Sequence, residues 1–412
     1  MNRRAFLSAS LAVRAAQLAP RPNILVFMTD QESALLPGPA KLPNRERILA
    51  GAAQFTRAFC NTPQCSPARS SLMTGLEPHH TGVRTNVDGN SIGASLDPAL
   101  PNVGSVFRAA GWSTGYFGKW HLNRDVAGHL DKFGFSAGAD GTDGEAAAAA
   151  AAWIRKQKTP WLAWVSVLNP HDIYNIRQEM ERIVIRPGVQ PPATKLENLS
   201  GKPAEQRDYV AKDQGKITAD FDADHWLRYR SLYLNLLEKT DAQLGQVLDA
   251  AGDLSNTIVV YTADHGDQLG VHGLPFKGPF MYEPLIRIPL LIRSPGRIKA
   301  GRRDDLVTQT DIAPTLASLA GIRWPSAIDG ASVVNPVKRE EVFLEYYAKQ
   351  KWVNPIRTIR TKRWKLNLYE SGNRELYDLD ADPIEARDLS KSAEHQQTLK
   401  GLEAKINRWW PR

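Results

Sequence analysis

An α/β fold is the prediction for this 412-residue chain, with helices on both faces of a sheet and a smaller strand-rich region at the C-terminus. Three observations lead there. Residues 23–28, 161–168 and 257–262 are near-continuous apolar runs, the mark of strands covered on both faces. Between them lie helical patterns. Residues 226–248 carry apolar side chains at helical spacing, and the alanine run 146–152, flanked by Glu145 and Arg155, has high helix propensity. Composition then shifts across residues 324–339, where Pro325, Gly330 and Pro336 mark a linker. Beyond it, residues 341–347 and 356–369 read as two further strands.

Composition narrows the class. Hydrophobic residues make up 42% of the chain and charged residues 23%, as in a globular protein with a sizeable core, which excludes a disordered chain. There are two cysteines, Cys60 and Cys65, too few for a disulfide scaffold. No apolar run reaches the ~20 residues of a transmembrane helix. The 52 Lys and Arg against 44 Asp and Glu leave a formal charge of +8. That excess favours acidic partners, and anionic polysaccharide, nucleic acid and anionic lipid all fit it.

In chain order, Asn2-Arg3-Arg4-Ala5-Phe6-Leu7 opens a short apolar stretch, 5–13, that ends at Arg14. Residues 1–20 read as a twin-arginine-like export signal, which places the protein in the periplasm; a basic tail on a cytoplasmic protein is the alternative. The first buried strand ends in Asp30-Gln31, and the strand at 257–262 ends in Asp264-His265-Gly266. Ligands of open α/β sheets bind beyond the carboxyl ends of the strands, so the two pairs are expected to share a site. Their donors are mainly hard oxygens, suited to calcium or magnesium, while the imidazole admits manganese or zinc. Each Asp capping the next helix is the plainer reading.

Between these pairs lies Cys65-Ser66-Pro67-Ala68-Arg69, followed by Thr74-Gly75. Proline suits the first turn of a helix and glycine its stop. Cys65 is therefore expected at a helix start, where free N–H groups and the helix dipole favour negative charge. Arg69, one turn on, shares its face. A nucleophile precursor, a fixed cation and a helix start converging on one point suit a tetrahedral oxyanion. Asn86 is either a donor to that oxyanion or a turn residue.

A helix ending at Gly111 and a strand running into Lys119 would place Lys119 and His121 on one face by alternation. The strand at 161–168 ends in Asn169-Pro170-His171, so His171 is placed to meet a ligand. Residues 174–223 are polar, with Pro and Gly, the pattern of a lid or binding loop. Lys277 sits between glycine and proline turns near the second polar pair. Residues 289–293 read as one more strand and 311–319 as a helix. In the C-terminal strands aromatic and basic residues alternate. That is more often a sheet with one packed and one solvated face than a nucleic-acid surface, so no nucleic-acid partner is expected.

Together, the Cys65-to-Gly75 segment, Gly118-Lys119-Trp120-His121-Leu122, Asp30-Gln31, Asp264-His265 and the segment around Lys277 resemble the signatures of the type I sulfatases. The resemblance covers about Arg21 to the end. It implies an alkaline-phosphatase-like α/β fold: a large mixed, mostly parallel sheet with helices on both faces over residues 21–335. A C-terminal subdomain, 336–412, would carry a small antiparallel sheet and a terminal helix. The resemblance further implies that a maturation enzyme oxidises Cys65 to formylglycine. Residue 65 would join Asp30, Gln31, Asp264 and His265 around a divalent metal, Ca2+ first, with Mg2+ or Mn2+ as alternatives.

Lys119, Lys277, Arg69 and His171 would hold the sulfate group, Asn86 would donate to it, and His121 would assist residue 65. His171 or Lys277 would protonate the leaving alcohol. The substrate implied is a sulfated small molecule or glycan. One residue departs from the pattern. The first pair is often Asp-Asp, and Gln31 removes a negative charge. In that respect the chain resembles the phosphate and phosphonate monoester hydrolases of the same fold, although these differ at the Gly-Lys-Trp-His-Leu segment. A non-catalytic binder of anionic glycans, using the 11 tryptophans, is the reading from another class.

Overall fold

The computed structural model describes residues 20–88, 92–124, 130–194 and 199–410; the export-signal reading falls on residues outside them. Eight strands form the larger sheet: β1 (Asn23–Asp30), β2 (Ala52–Phe59), β3 (Ser113–Gly118), β4 (Ala137–Ala139), β5 (Trp161–Pro170), β6 (Thr257–Ala263), β7 (Leu290–Arg293) and β8 (Gly301–Thr308). Their order is β4-β3-β5-β1-β6-β7-β2-β8. Strand β7 runs antiparallel to β6 and β2, and the other neighbours are parallel. The sheet is thus mixed and mostly parallel.

The apolar runs occupy its centre, β5-β1-β6, because only there are both faces covered. The pleat sends alternate residues to opposite sides. Ile24, Val26 and Met28 share a core with Leu72, Phe107 and Leu316, from the helices Cys65–Thr74, Val103–Ala109 and Ile312–Ala320. Leu25 and Phe27 face the other way, against Ala146, Ala147, Ala150, Leu244 and Val247. These come from the helix Asp143–Arg155 and the 29-residue helix Ala223–Ala251. A reciprocal capping box between Thr142 and Glu145 starts the alanine helix, satisfying donors that have no intrahelical partner. No helix among the described residues is long and apolar enough to cross a membrane.

The second sheet is antiparallel: β9 (Glu341–Lys349), β10 (Trp352–Thr361), β11 (Trp364–Tyr369) and β12 (Arg374–Asp378), in the order β12-β11-β10-β9. Residues 356–369 were expected as one strand and form two. The Thr361 hydroxyl accepts the Trp364 N–H at 2.8 Å, a local side-chain bond that closes a turn where an extended chain would have continued. Leu344, Tyr346 and Ile356 pack into the first core. On the other face, Ile359, Leu366 and Leu376 are covered by Leu399, Leu402 and Ile406 of the terminal helix Gln396–Trp409. The region expected as a linker is a packed strap, with Trp324, Ile328, Val334 and Val337 laid against the first core.

Strand β3 stops at Gly118, so alternation along it does not reach Lys119 and His121. The reason is a close approach. Gly118 has φ +93°, and a Cβ there would lie 2.1 Å from the Ser166 carbonyl oxygen. Gly118→Ala is expected to destabilise the fold by roughly 1–3 kcal/mol, the cost of a residue forced into a sparsely populated backbone region. A lowered urea midpoint would show it.

Candidate active site

Three strand ends and one helix start build the site. Strands β1 and β6 are parallel neighbours in register, Met28 beside Thr262 and Thr29 beside Ala263. Asp30 and Asp264 therefore emerge side by side, both fully buried. Asp264 Oδ1 accepts the backbone N–H groups of Gln31 at 3.0 Å and His265 at 2.9 Å, and the chain at Gln31 turns through φ 74°. On the other flank, β5 pairs Pro170 with Asp30, which brings His171 to the same edge. The helix Cys65–Thr74 then points its first residue into this cluster, and Gly75, at φ 70°, ends it in the left-handed region that glycine favours.

Four groups surround Cys65 Sγ: Lys277 Nζ at 3.2 Å, His265 Nε2 at 3.3 Å, and Asp30 Oδ1 and Lys119 Nζ both at 3.8 Å. Burial and Asp30 raise the thiol, but Lys119, Lys277 and His265 prevail and hold it well below its ordinary value. Asp30 behaves likewise. Burial raises its carboxyl, yet Lys119, His171, Lys277 and Arg69 keep it well below the usual carboxylate range. Lys119 Nζ donates to Asp30 Oδ2 at 2.5 Å.

The ligating atoms of Asp30, Cys65, Asp264 and His265 all lie within 4.8 Å of one another. His265 Nδ1 sits 2.9 Å from the Gly266 carbonyl oxygen. A proton donated there leaves the Nε2 lone pair facing the carboxylates, the arrangement that orients a metal-ligating imidazole. Two buried carboxylates, an imidazole and residue 65 fit a divalent cation. Gln31 lies at the same edge, but its amide is engaged: Oε1 accepts Lys277 Nζ at 2.7 Å and Nε2 donates to Asp267 Oδ2 at 2.7 Å. A carbonyl oxygen has two lone pairs, so one is left for an ion.

Arg69, expected at the oxyanion, is engaged by the protein around the strand ends. Its Nε donates to Asp264 at 2.9 Å, Nη2 to Asp30 at 2.9 Å, and Nη1 to the Lys119 carbonyl at 2.6 Å and Ser166 Oγ at 2.8 Å. The guanidinium clamps the two strand ends together and carries Lys119 with them. It positions the site from below. His121 has a buried Nδ1 with no hydrogen-bond partner among the described residues. Asn86 Oδ1 accepts the Ser66 N–H at 3.1 Å, which ties the segment around Asn86 to the helix start. Tyr174 packs beside His171, ring centroids 4.9 Å apart.

Over the cluster lies a cavity of about 340 Å3 lined by Gln64, Asn86, His171, Tyr174, Gln214, Lys277, Tyr346 and Lys349 among others. The profile of the family described as "Sulfatase" matches residues 22–322, the span that contains every group around Cys65.

The chain belongs to the sulfatase family. It is a sulfuric ester hydrolase on the alkaline-phosphatase-like fold. A second profile, "N-sulphoglucosamine sulphohydrolase, C-terminal", matches residues 270–410. The sulfatase is 28% identical to a choline-sulfatase of Rhizobium meliloti, covering 90% of this chain and 83% of that protein. It is 27% identical to a Δ4,5-hexuronate-2-O-sulfatase of Bacteroides thetaiotaomicron, covering 95% and 89%. Among solved structures, a 2-O GAG sulfatase superposes with a TM-score of 0.80 at 24% identity over 94% of this chain and 92% of that one. A phosphonate monoester hydrolase of Agrobacterium radiobacter superposes at 0.76, with 22% identity over 94% and 95%.

Several of the sulfatase's cavity residues escaped the sequence reading. Tyr174 and Gln214 come from the segment expected to shape a pocket, though nothing in the pattern singled them out. Tyr346 and Lys349 come from β9, read only as a packed or solvated sheet face. Lys349 Nζ reaches Asp213 at 2.9 Å and Gln214 Oε1 at 2.7 Å. Burial pulls this ammonium down to about 8, against the opposing effect of Asp213. Asp267, which orients Gln31, was not singled out in the sequence at all.

Proposed function

We propose that this sulfatase hydrolyses sulfate esters on a carbohydrate, with residue 65 acting as formylglycine beside a divalent cation. The observation that carries this reading is the placement of Cys65 Sγ, at the start of a helix and 3.2–3.8 Å from two lysines, an imidazole and a carboxylate. Asp30, Asp264 and His265, with Gln31, would hold the cation, which supplies fixed positive charge where the attacking oxygen and the sulfate oxygens develop theirs. Ca2+ fits the oxygen-rich set first, with Mg2+ or Mn2+ as alternatives. Formylglycine hydrate supplies two hydroxyls on one carbon, one to attack sulfur and one to release sulfate, which a serine or a thiol lacks. A maturation enzyme is the partner this chemistry requires, and the N-terminus supports export to the periplasm.

The chain's own residues divide the remaining work. Lys119 and Lys277 neutralise the sulfate oxygens from two sides, and Asn86 borders the same cavity. Arg69 holds Asp30 and Asp264 at their spacing. Burial disfavours charge on Lys277, but Cys65, Asp30 and Asp264 raise its ammonium above the ordinary value. His171 falls to about 3, through burial and then the repulsion of Lys277 and Lys119. Asp30 and Asp264 remain beside Lys277 when Cys65 is converted, and Lys277 is assigned the proton for the leaving alcohol, while neutral His171 is suited to hydrogen-bond the ester oxygen. His121, with its unpartnered Nδ1, is assigned the proton of the remaining hydroxyl.

A carbohydrate is favoured by amide and phenol groups on the cavity wall (Gln64, Gln214, Tyr174 and Tyr346) and by the hexuronate named for one relative. A quaternary ammonium, as in the choline ester of another relative, is disfavoured by Lys349 in the same wall. A phosphonate or phosphate monoesterase is the second reading, favoured by Asp30-Gln31.

The deciding experiment is co-expression with a formylglycine-generating enzyme and mass spectrometry of the peptide spanning residues 58–69. Rates on 4-nitrophenyl sulfate and 4-nitrophenyl phosphate would follow. An unmodified cysteine, or faster turnover of the phosphate, would overturn the reading. Chelation followed by dialysis is expected to lower the melting temperature, since a cation at 100 times its Kd contributes about 2.7 kcal/mol; calcium should restore it. Lys277→Ala is expected to raise KM and lower kcat, by roughly 10²-fold or more in kcat/KM where both sulfate binding and proton donation are lost. Steady-state kinetics on 4-nitrophenyl sulfate measures it.

A further inference from the structure

Away from Cys65, a cavity of about 350 Å3 opens where the edge of the large sheet meets the small one. Five cations line it: Arg57 of β2, Arg287 just before β7, Arg302 of β8, Arg360 of β10 and Lys362 just beyond it. It shares no lining residue with the cavity over Cys65. Arg57 Nη1 is buried and has no hydrogen-bond partner among the described residues. Two of the other guanidiniums are anchored in place. Arg287 Nε donates to the Thr56 carbonyl at 2.8 Å, and Arg360 Nε to Glu283 at 3.0 Å.

Three carboxylates also line the cavity, Glu283, Asp304 and Asp380, and they do not balance it. Glu283 is shared between Arg360 and Lys365, and Asp304 faces Lys362 at 3.6 Å. Burial, with the repulsion of Arg360, Arg57 and Arg302, outweighs Glu283 and pulls the Arg287 guanidinium below its ordinary value. A buried guanidinium nitrogen left unpaired among like charges is costly, and an oxyanion would relieve both deficits at once. Guanidinium forks match the paired oxygens of sulfate or phosphate groups. A second cavity of about 370 Å3 adjoins the first, sharing Thr56, Arg287 and Arg302 and adding Arg45. Arg45 is paired with Glu32 at 2.6 Å and Glu46 lines the same cavity, so the unbalanced charge stays with the first.

We propose that this arginine-lined cleft is a secondary site for sulfate ester groups of a polysulfated glycan, bound at a distance from the ester being cleaved. The choice of a sulfated polymer rests on the sulfatase reading above. Single-stranded nucleic acid is disfavoured because no aromatic side chain lines the arginine cavity, and bases need such platforms for stacking. Engagement there would hold a long chain on the enzyme and favour polymer over small esters.

The test is binding to the full chain in its cysteine form, so that no turnover intervenes. The probes are dextran sulfate oligosaccharides, unsulfated dextran, inorganic sulfate and a single-stranded oligonucleotide. R57Q/R302Q is expected to weaken dextran sulfate binding by about tenfold or more, the worth of one lost charge-assisted hydrogen bond. R323Q, at an exposed position outside both cavities, is the control. Should R57Q/R302Q lose its circular dichroism signal, R302Q/K362Q, both exposed, replaces it with the same expectation. Equal binding by wild type and variant, equal binding of unsulfated dextran, or tighter binding of the oligonucleotide would overturn the proposal. Binding of inorganic sulfate without a gain for the oligosaccharide would also overturn it. Turnover of 4-nitrophenyl sulfate by the matured enzyme is read separately. If that turnover is absent while the variant still loses dextran sulfate, the sulfatase reading falls and the anion site stands.

Discussion

Cys65→Ser will lose turnover of sulfate esters while the protein stays folded and binds them. The expected fall is on the order of 10⁶ in kcat, the scale seen when the nucleophile of a site acting as a unit is removed. The physical reason is local. Lys277 and Lys119 remain 3.2 and 3.8 Å from the position of Sγ, so the charges proposed to hold sulfate survive the substitution. What disappears is the side chain that, in the proposed mechanism, a maturation enzyme oxidises. Equilibrium binding of an aryl sulfate, beside single-turnover kinetics, separates the two effects. A serine variant retaining wild-type turnover would remove residue 65 from the chemistry.

Arg69→Met will give the largest loss of stability. Arg69 is 1% exposed and bonds Asp30, Asp264, the Lys119 carbonyl and Ser166. Methionine fills much of the volume but leaves two buried carboxylates facing each other. Removing one partner of a buried ion pair costs roughly 3–5 kcal/mol, because the remaining charge is uncompensated. Urea unfolding measures the loss. Added calcium should recover part of it, since a cation held by Asp30 and Asp264 replaces some of the missing charge. A merely structural arginine would show the same loss without rescue by the ion. Unchanged stability would mean that the two carboxylates do not depend on Arg69.

Much of the site was legible because its parts are local. The apolar runs ending in Asp30-Gln31 and Asp264-His265 announce strand ends by hydrophobicity alone. Pro67 and Gly75 bracket a helix by backbone chemistry. His171 follows a strand that ends in a proline turn. Other features had no local signal. The split of residues 356–369 into β10 and β11 hangs on one hydroxyl, that of Thr361. The shortened β3 depends on the Ser166 carbonyl passing under Gly118, and Ser166 is nearly fifty residues further along the chain. Lys349 and Tyr346 enter the cavity only because one face of the second sheet packs into the first core. Apart from Arg360 and Lys362, two positions apart at the end of β10, the cations of the arginine cleft come from separate strands and turns, and no spacing in the chain relates them.

The sequence by itself determined which chemical groups stand at strand ends and helix starts, because periodicity and turn residues act over a few positions. Only the tertiary structure decided what those groups face. Arg69 shares a helix face with Cys65 whatever the fold. That its guanidinium clamps Asp30 and Asp264 follows from β1 and β6 lying side by side, and strand order is set by packing across the whole core.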